Sequence, residues 1–144
     1  MKRQDKYKDT ATFHFHNQNP KNRFTCDCVK RAISFATGIS YNEVVMALAD
    51  YQCQTGLDES EKRLYERYLK ALGWVKHPQP RKEDGTKYTG AQFCKHLKTL
   101  NPGKVIAHIG GHHIVAISPI EGRYKVCDTW DSTKGCVGNY WTKG

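Results

Sequence analysis

Apolar residues along this chain recur at helical spacing up to about residue 100 and at strand spacing from 105 onward, and the switch predicts the order of its elements. Val29, Ala32, Ile33 and Ala36 stand at i, i+3, i+4 and i+7, one face of a helix that begins near Asp27 or Cys28 and stops at Gly38. Ser40-Tyr41-Asn42-Glu43 reads as a capping box. It opens a second helix with Val44, Val45, Leu48 and Tyr51 turned inward, ending before Gly56. The stripe Leu64, Tyr68, Leu69 and Leu72 predicts a third helix over about 59–72, with Gly73 as its stop. A second capping box, Thr89-Gly90-Ala91-Gln92, starts a short helix that ends before Asn101-Pro102-Gly103. Residues 74–87, broken by Pro78, Pro80 and Asp84-Gly85, read as a loop.

Beyond them, residues 105–109, 113–117, 124–127 and 137–141 are short β-prone runs, separated by Gly110-Gly111, Glu121-Gly122 and a longer polar connection. Residues 11–16 add a short early strand, followed by a polar loop over 17–25. Helices first and strands afterwards predict an α+β fold in which N-terminal helices pack on a C-terminal antiparallel sheet. A length of 144 residues suits one domain spanning 1–144, with 1–10 as a flexible basic N-terminus.

Composition narrows the function classes. At 38% hydrophobic and 26% charged residues, wholesale disorder is excluded, and no apolar run approaches the ~20 residues of a membrane span. The opening Met1-Lys2-Arg3-Gln4-Asp5-Lys6 has no apolar stretch behind it, so the expectation is a cytoplasmic chain with reduced thiols and no membrane partner. Of the six cysteines, Cys94 in a helix stripe and Cys127 in a strand read as packing residues. The net charge of +9 gathers in Lys2, Arg3, Lys6, Lys8, Lys21, Arg23, Lys30 and Arg31 and around Arg81-Lys82. Such a surface favours anionic partners, nucleic acid among them, but no recognised nucleic-acid motif accompanies it, and an ordinary basic surface is the simpler explanation.

Three residues carry a candidate chemistry. Cys28 opens a helix, where unpaired amides and aligned peptide dipoles stabilise a thiolate, with Asp27 as the expected cap. Cys26, two residues earlier, lacks that environment. His113 begins the run Ile114-Val115-Ala116-Ile117, at a sheet rim within reach of a helix terminus. Asp128 ends the next strand, and the antiparallel register brings it beside His113, where it can fix the imidazole tautomer. His112 and Asp131 are the competing base and orienting acid, and His108 is a strand histidine. Trp130 reads as a shield over the His–Asp pair, as a core aromatic, or as both.

A cysteine opening the first major helix, a later histidine starting a strand and an acid ending the next strand is the order of papain-like cysteine peptidases, which this chain resembles from about 19 to 141. It is most similar to the leader-processing peptidase domains of bacteriocin exporters and to small phage-encoded members. Asp27-Cys28-Val29-Lys30-Arg31-Ala32-Ile33 resembles their nucleophile helix, and Cys127-Asp128-Thr129-Trp130-Asp131 their acid strand. The resemblance implies a thiol protease with a Cys28–His113–Asp128 catalytic triad and no cofactor, acting on a peptide or isopeptide. Such enzymes place a glutamine some six residues before the nucleophile to complete the oxyanion hole; here Asn22 holds that position and Gln18 is the nearby glutamine, so both are candidates. The non-enzymatic alternative is a silent papain-fold module that binds nucleic acid or a protein through the basic surface. A zinc site from His14, His16, Cys26 and Cys28 is disfavoured by the single residue between the cysteines, so no metal is expected.

Overall fold

A computed structural model describes residues 8–144. The elements run β1 (Phe13–Phe15), α1 (Cys28–Thr37), α2 (Tyr41–Thr55), α3 (Lys62–Ala71), β2 (Trp74–His77), α4 (Gly90–Leu100), β3 (Val105–Ile109), β4 (His113–Ile120), β5 (Arg123–Asp128) and β6 (Val137–Lys143). The expected flexible segment 1–10 lies largely outside the described residues. Within them, Asp9 accepts hydrogen bonds from the Phe15 amide and pairs with His14.

The α+β class holds, and its details differ from the expectation in three ways. The six strands form one open sheet in the order β1-β5-β4-β3-β6-β2. It is mixed rather than antiparallel, because β1 lies parallel to β5. Residues 74–77 are not loop but an edge strand, β2, paired antiparallel with β6. A four-residue run ended by a proline is too short to show a period, and an edge position tolerates that proline beside it. The helices also divide between the two faces. α1, α2 and α3 pack on Ile106, Ile114, Ala116 and Trp141. α4 covers the opposite face, setting Phe93, Cys94 and Leu97 on Val105, Ala107, Ile109, Val115 and Ile117. Successive strand residues point to opposite faces, so β3 and the first half of β4 are apolar nearly throughout because both their faces are covered.

Local chemistry accounts for the helix ends. At α4 both bonds of the Thr89/Gln92 capping box form. At α2 only half of the expected box does: Ser40 accepts the Glu43 amide, without the reciprocal bond. α3 starts at Lys62, later than the apolar stripe implies, because Asp58, Ser60 and Glu61 hold a turn ahead of it. The β3–β4 turn matters most for function. Gly110 and Gly111 both take positive φ, 60° and 95°, which side chains with a Cβ resist, and this tight reversal delivers His113 to the first position of β4.

Candidate functional site

Cys28 is the first residue of α1, whose apolar face (Val29, Ala32, Ile33, Ala36) is buried against the sheet as the spacing predicts. The expected cap is not formed. Asp27 makes no side-chain bond to the helix amides. Its carboxylate is taken instead by Arg31 Nε at 2.7 Å, the Tyr41 hydroxyl at 2.7 Å and Asn19 Nδ2 at 3.0 Å. Among the described residues no side chain caps the first amides of α1, the turn that Cys28 opens, and they can meet an anion there.

His113 joins the nucleophile candidate to the acid. Its Nε2–H donates to Asp128 Oδ2 at 2.6 Å, and its ring interacts with the Cys28 thiol closely enough to lower the thiol's pKa. With Nε2 engaged by the acid, Nδ1 is the nitrogen left for sulfur. Asp128 is 2% exposed and over-determined in position. Its Oδ1 accepts the Thr129 amide at 2.7 Å and the Arg31 guanidinium. Its backbone carbonyl accepts the His16 amide at 2.9 Å, so β1 braces the end of β5. The Trp130 ring lies 4.8 Å from the His113 ring and is 48% exposed, which makes it a cover over the imidazole rather than a core aromatic.

Arg31 is the residue that pattern reading missed. Counted by sequence among the basic surface charges, it is buried, and its fork ties Asp27 to Asp128. It sits three residues after Cys28, so one guanidinium fastens the acid strand to the helix that carries the thiol. The signal was present in the i, i+4 spacing of Asp27 and Arg31, a pairing that marks one helix face.

The electrostatics follow from these contacts. Burial alone would raise the Cys28 pKa, but the His113 hydrogen bond, the Ile114 amide and the charges of His113 and Arg31 outweigh it, and the net shift is downward from 9.0. Burial disfavours the charged His113, yet its bonds to Asp128 and Cys28 push it up to about 9. Burial opposes the Asp128 carboxylate too, and His113, Arg31 and the Thr129 amide hold its pKa below 3.8 all the same. Opposite shifts on neighbouring groups favour a thiolate–imidazolium pair. Cys94 and Cys127, by contrast, are pushed up to about 12, chiefly by burial, which leaves them inert packing thiols.

The remaining candidates are placed elsewhere. His112 is exposed on the turn. Asp131 accepts the amide and hydroxyl of Thr133 at 2.9 and 2.6 Å and so closes its own loop. Gln18 lines a small cavity that also touches Cys28, but its Nε2 donates to Ser34 Oγ at 3.0 Å. Ser34 lies six residues along α1 from Cys28, roughly 9 Å at ~1.5 Å per residue, so that donor points away from the helix end. Asn22 is exposed at the end of a turn, with φ 55° and its amide bonded to the Asn19 carbonyl. Neither side chain is hydrogen-bonded to Cys28 among the described residues. The backbone donor acting on the sulfur is the Ile114 amide, and Cys28 itself opens α1. His14 pairs with Asp9 at 2.6 Å and His16 with Gln18 at 2.6 Å. No helix among the described residues is long and apolar enough to cross a membrane. No family model, curated protein or solved structure matches this chain.

Proposed function

We propose that this chain is a papain-like cysteine hydrolase that cleaves an amide or related acyl bond in a peptide or isopeptide. One observation carries the proposal: His113 is bonded to the buried Asp128 carboxylate and acts electrostatically on the Cys28 thiol, the three coming from separate elements. A structural cysteine needs no such partner, and a structural histidine gains nothing from a thiolate.

In this mechanism the Cys28 thiolate attacks the carbonyl carbon, and the oxyanion forms against the uncapped amides of α1. His113 Nδ1 gives its proton to the leaving nitrogen, producing an acyl-enzyme and a free amine. His113 then takes a proton from water, the resulting hydroxide attacks the thioester, and Cys28 leaves as a thiolate beside a reprotonated imidazole. Asp128 holds the Nε2–H throughout, and Trp130 keeps water off that bond. Because the leaving group needs a proton from the imidazolium, turnover should fall as pH rises through about 9, the value to which His113 is raised.

The test is acylation by p-nitrophenyl acetate. The expected result is a burst of nitrophenol approaching one equivalent, an acetyl group on Cys28 by mass spectrometry, and slow deacylation that restores the thiol. Cys28→Ser should give neither burst nor adduct. Acetylation of Cys28 no faster than of the exposed Cys26 would overturn the proposal and leave the binding module as the better account.

A further inference from the structure

A second polar centre lies beside Cys28 and takes no part in the mechanism above. Ile114, whose amide reaches the sulfur, pairs with His108 on β3. The β3–β6 register shifts between Ala107 and Ile109, and His108 consequently faces Gly138, where an added Cβ would stand 3.1 Å from its Nδ1. The next residue, Asn139, is buried; its Oδ1 accepts from Lys62 Nζ, and its amide nitrogen has no partner among the described residues. Lys62 opens α3, and its ammonium lies 5.9 Å from the Trp141 ring centroid. Tyr65, on the next turn, meets the same ring at 6.0 Å, and Trp141 and Tyr65 belong to the cluster against which Cys28 packs. Cys28 and Lys62 thus border the same cluster.

The charge at this centre is not neutralised. No carboxylate among the described residues pairs with Lys62, and the acid nearest it on α3, Glu66, is engaged by Lys76 at 2.9 Å. Burial and the neighbouring Lys76 both pull the Lys62 pKa down, with Glu66 alone opposing. A groove of about 720 Å³ between α3 and β2, which shares Trp141 with this centre, is lined by Arg63, Arg67, Lys70 and Lys76, with Glu66 as its one acid. A cation held in place by an amide oxygen and an aromatic face, yet lacking a counter-ion, is a receptor for an anion.

We propose that Lys62, positioned by Asn139 and Trp141, binds a carboxylate of the substrate, so that the enzyme selects acidic peptides. The inference rests on Cys28 being the nucleophile of a hydrolase. Lys62 and His113 both act electrostatically on His108, so a single ammonium on this side of the site fits one side-chain carboxylate of a bound peptide.

The experiment compares two chloroacetyl dipeptide amides that differ only in glutamate against glutamine, with alkylation of Cys28 followed by mass spectrometry. In the wild type the glutamate probe should react about three- to ten-fold faster at low ionic strength, and the preference should shrink in ~0.5 M salt. Lys62→Met should bring the ratio to about one, and Lys62→Arg should keep the preference. A wild-type ratio near one, or a ratio that Lys62→Met does not alter, would overturn the assignment. So would salt-sensitive DNA binding that Lys62→Met weakens without any glutamate preference, since the lysine would then serve nucleic acid. If neither probe labels Cys28 faster than the exposed thiols, the hydrolase proposal itself fails, and the two failures are distinct.

Discussion

Replacing His113 with alanine is expected to slow the alkylation of Cys28 by iodoacetamide at pH ~6 by roughly ten- to a hundred-fold. The wild-type thiol owes its lowered pKa to the His113 hydrogen bond and charge, working against burial that raises it. Without the imidazole, burial remains and the Arg31 charge still opposes it, so the thiolate fraction at pH ~6 falls steeply. A less stabilised thiolate is a better nucleophile, which returns part of that loss and sets the lower end of the range. The measurement is a rate for Cys28 alone, by peptide mass, in wild type and variant. The Cys94 and Cys127 rates should stay negligible in both, since burial holds those thiols near 12.

Arg31→Met is expected to destabilise the folded chain by about 3–5 kcal/mol, the cost of leaving buried carboxylates without their cation. Asp27 keeps Tyr41 and Asn19, and Asp128 keeps His113 and Thr129, so the loss is partial at each end and summed over two. Domains of this size have ~5–15 kcal/mol in total, so the melting temperature should drop by on the order of 10 °C. Arg31→Lys should also be destabilised, because a point charge cannot bridge two carboxylates as a guanidinium fork does. The pH dependence supplies an independent sign. Both acids have folded pKa values below 3.8, so their contribution is present above the unfolded value and lost as pH falls through the lower folded one. The variant should therefore lose less stability than the wild type on acidification. Urea midpoints at pH ~7 and pH ~3 measure both effects; an Arg31→Met midpoint within 1 kcal/mol of wild type would show that the ion pairs contribute no net stability.

What could be read from the residues divides along a physical line. Features set by near neighbours were legible: the α1 face from Val29 to Ala36, the Thr89 box, the two C-terminal hairpins, and the approach of His113 to Asp128 across a hairpin register. Features set by distant segments were not. β1 braces Asp128 by pairing with a strand more than a hundred residues away, and β2 owes its strand character to β6. Arg31 looked like surface charge because its second carboxylate, Asp128, is distant in sequence. Asp27 looked like a cap because a carboxylate before a helix usually is one; the competing donors Arg31 and Tyr41 decide otherwise. The oxyanion side chain was sought at a fixed distance before Cys28, whereas Gln18 is drawn to Ser34 by a bond no spacing rule anticipates.

The central claim is that Cys28 and His113 form a thiolate–imidazolium pair. The most direct measurement is limiting iodoacetamide labelling of the native protein at pH ~6, with all six cysteines quantified in one digest. The predicted result is that Cys28, only partly exposed, is labelled at least ten-fold faster than the exposed Cys26, Cys53 and Cys136. Labelling of Cys28 at or below the rate of those three would contradict it, since accessibility and not a shifted pKa would then govern the thiol.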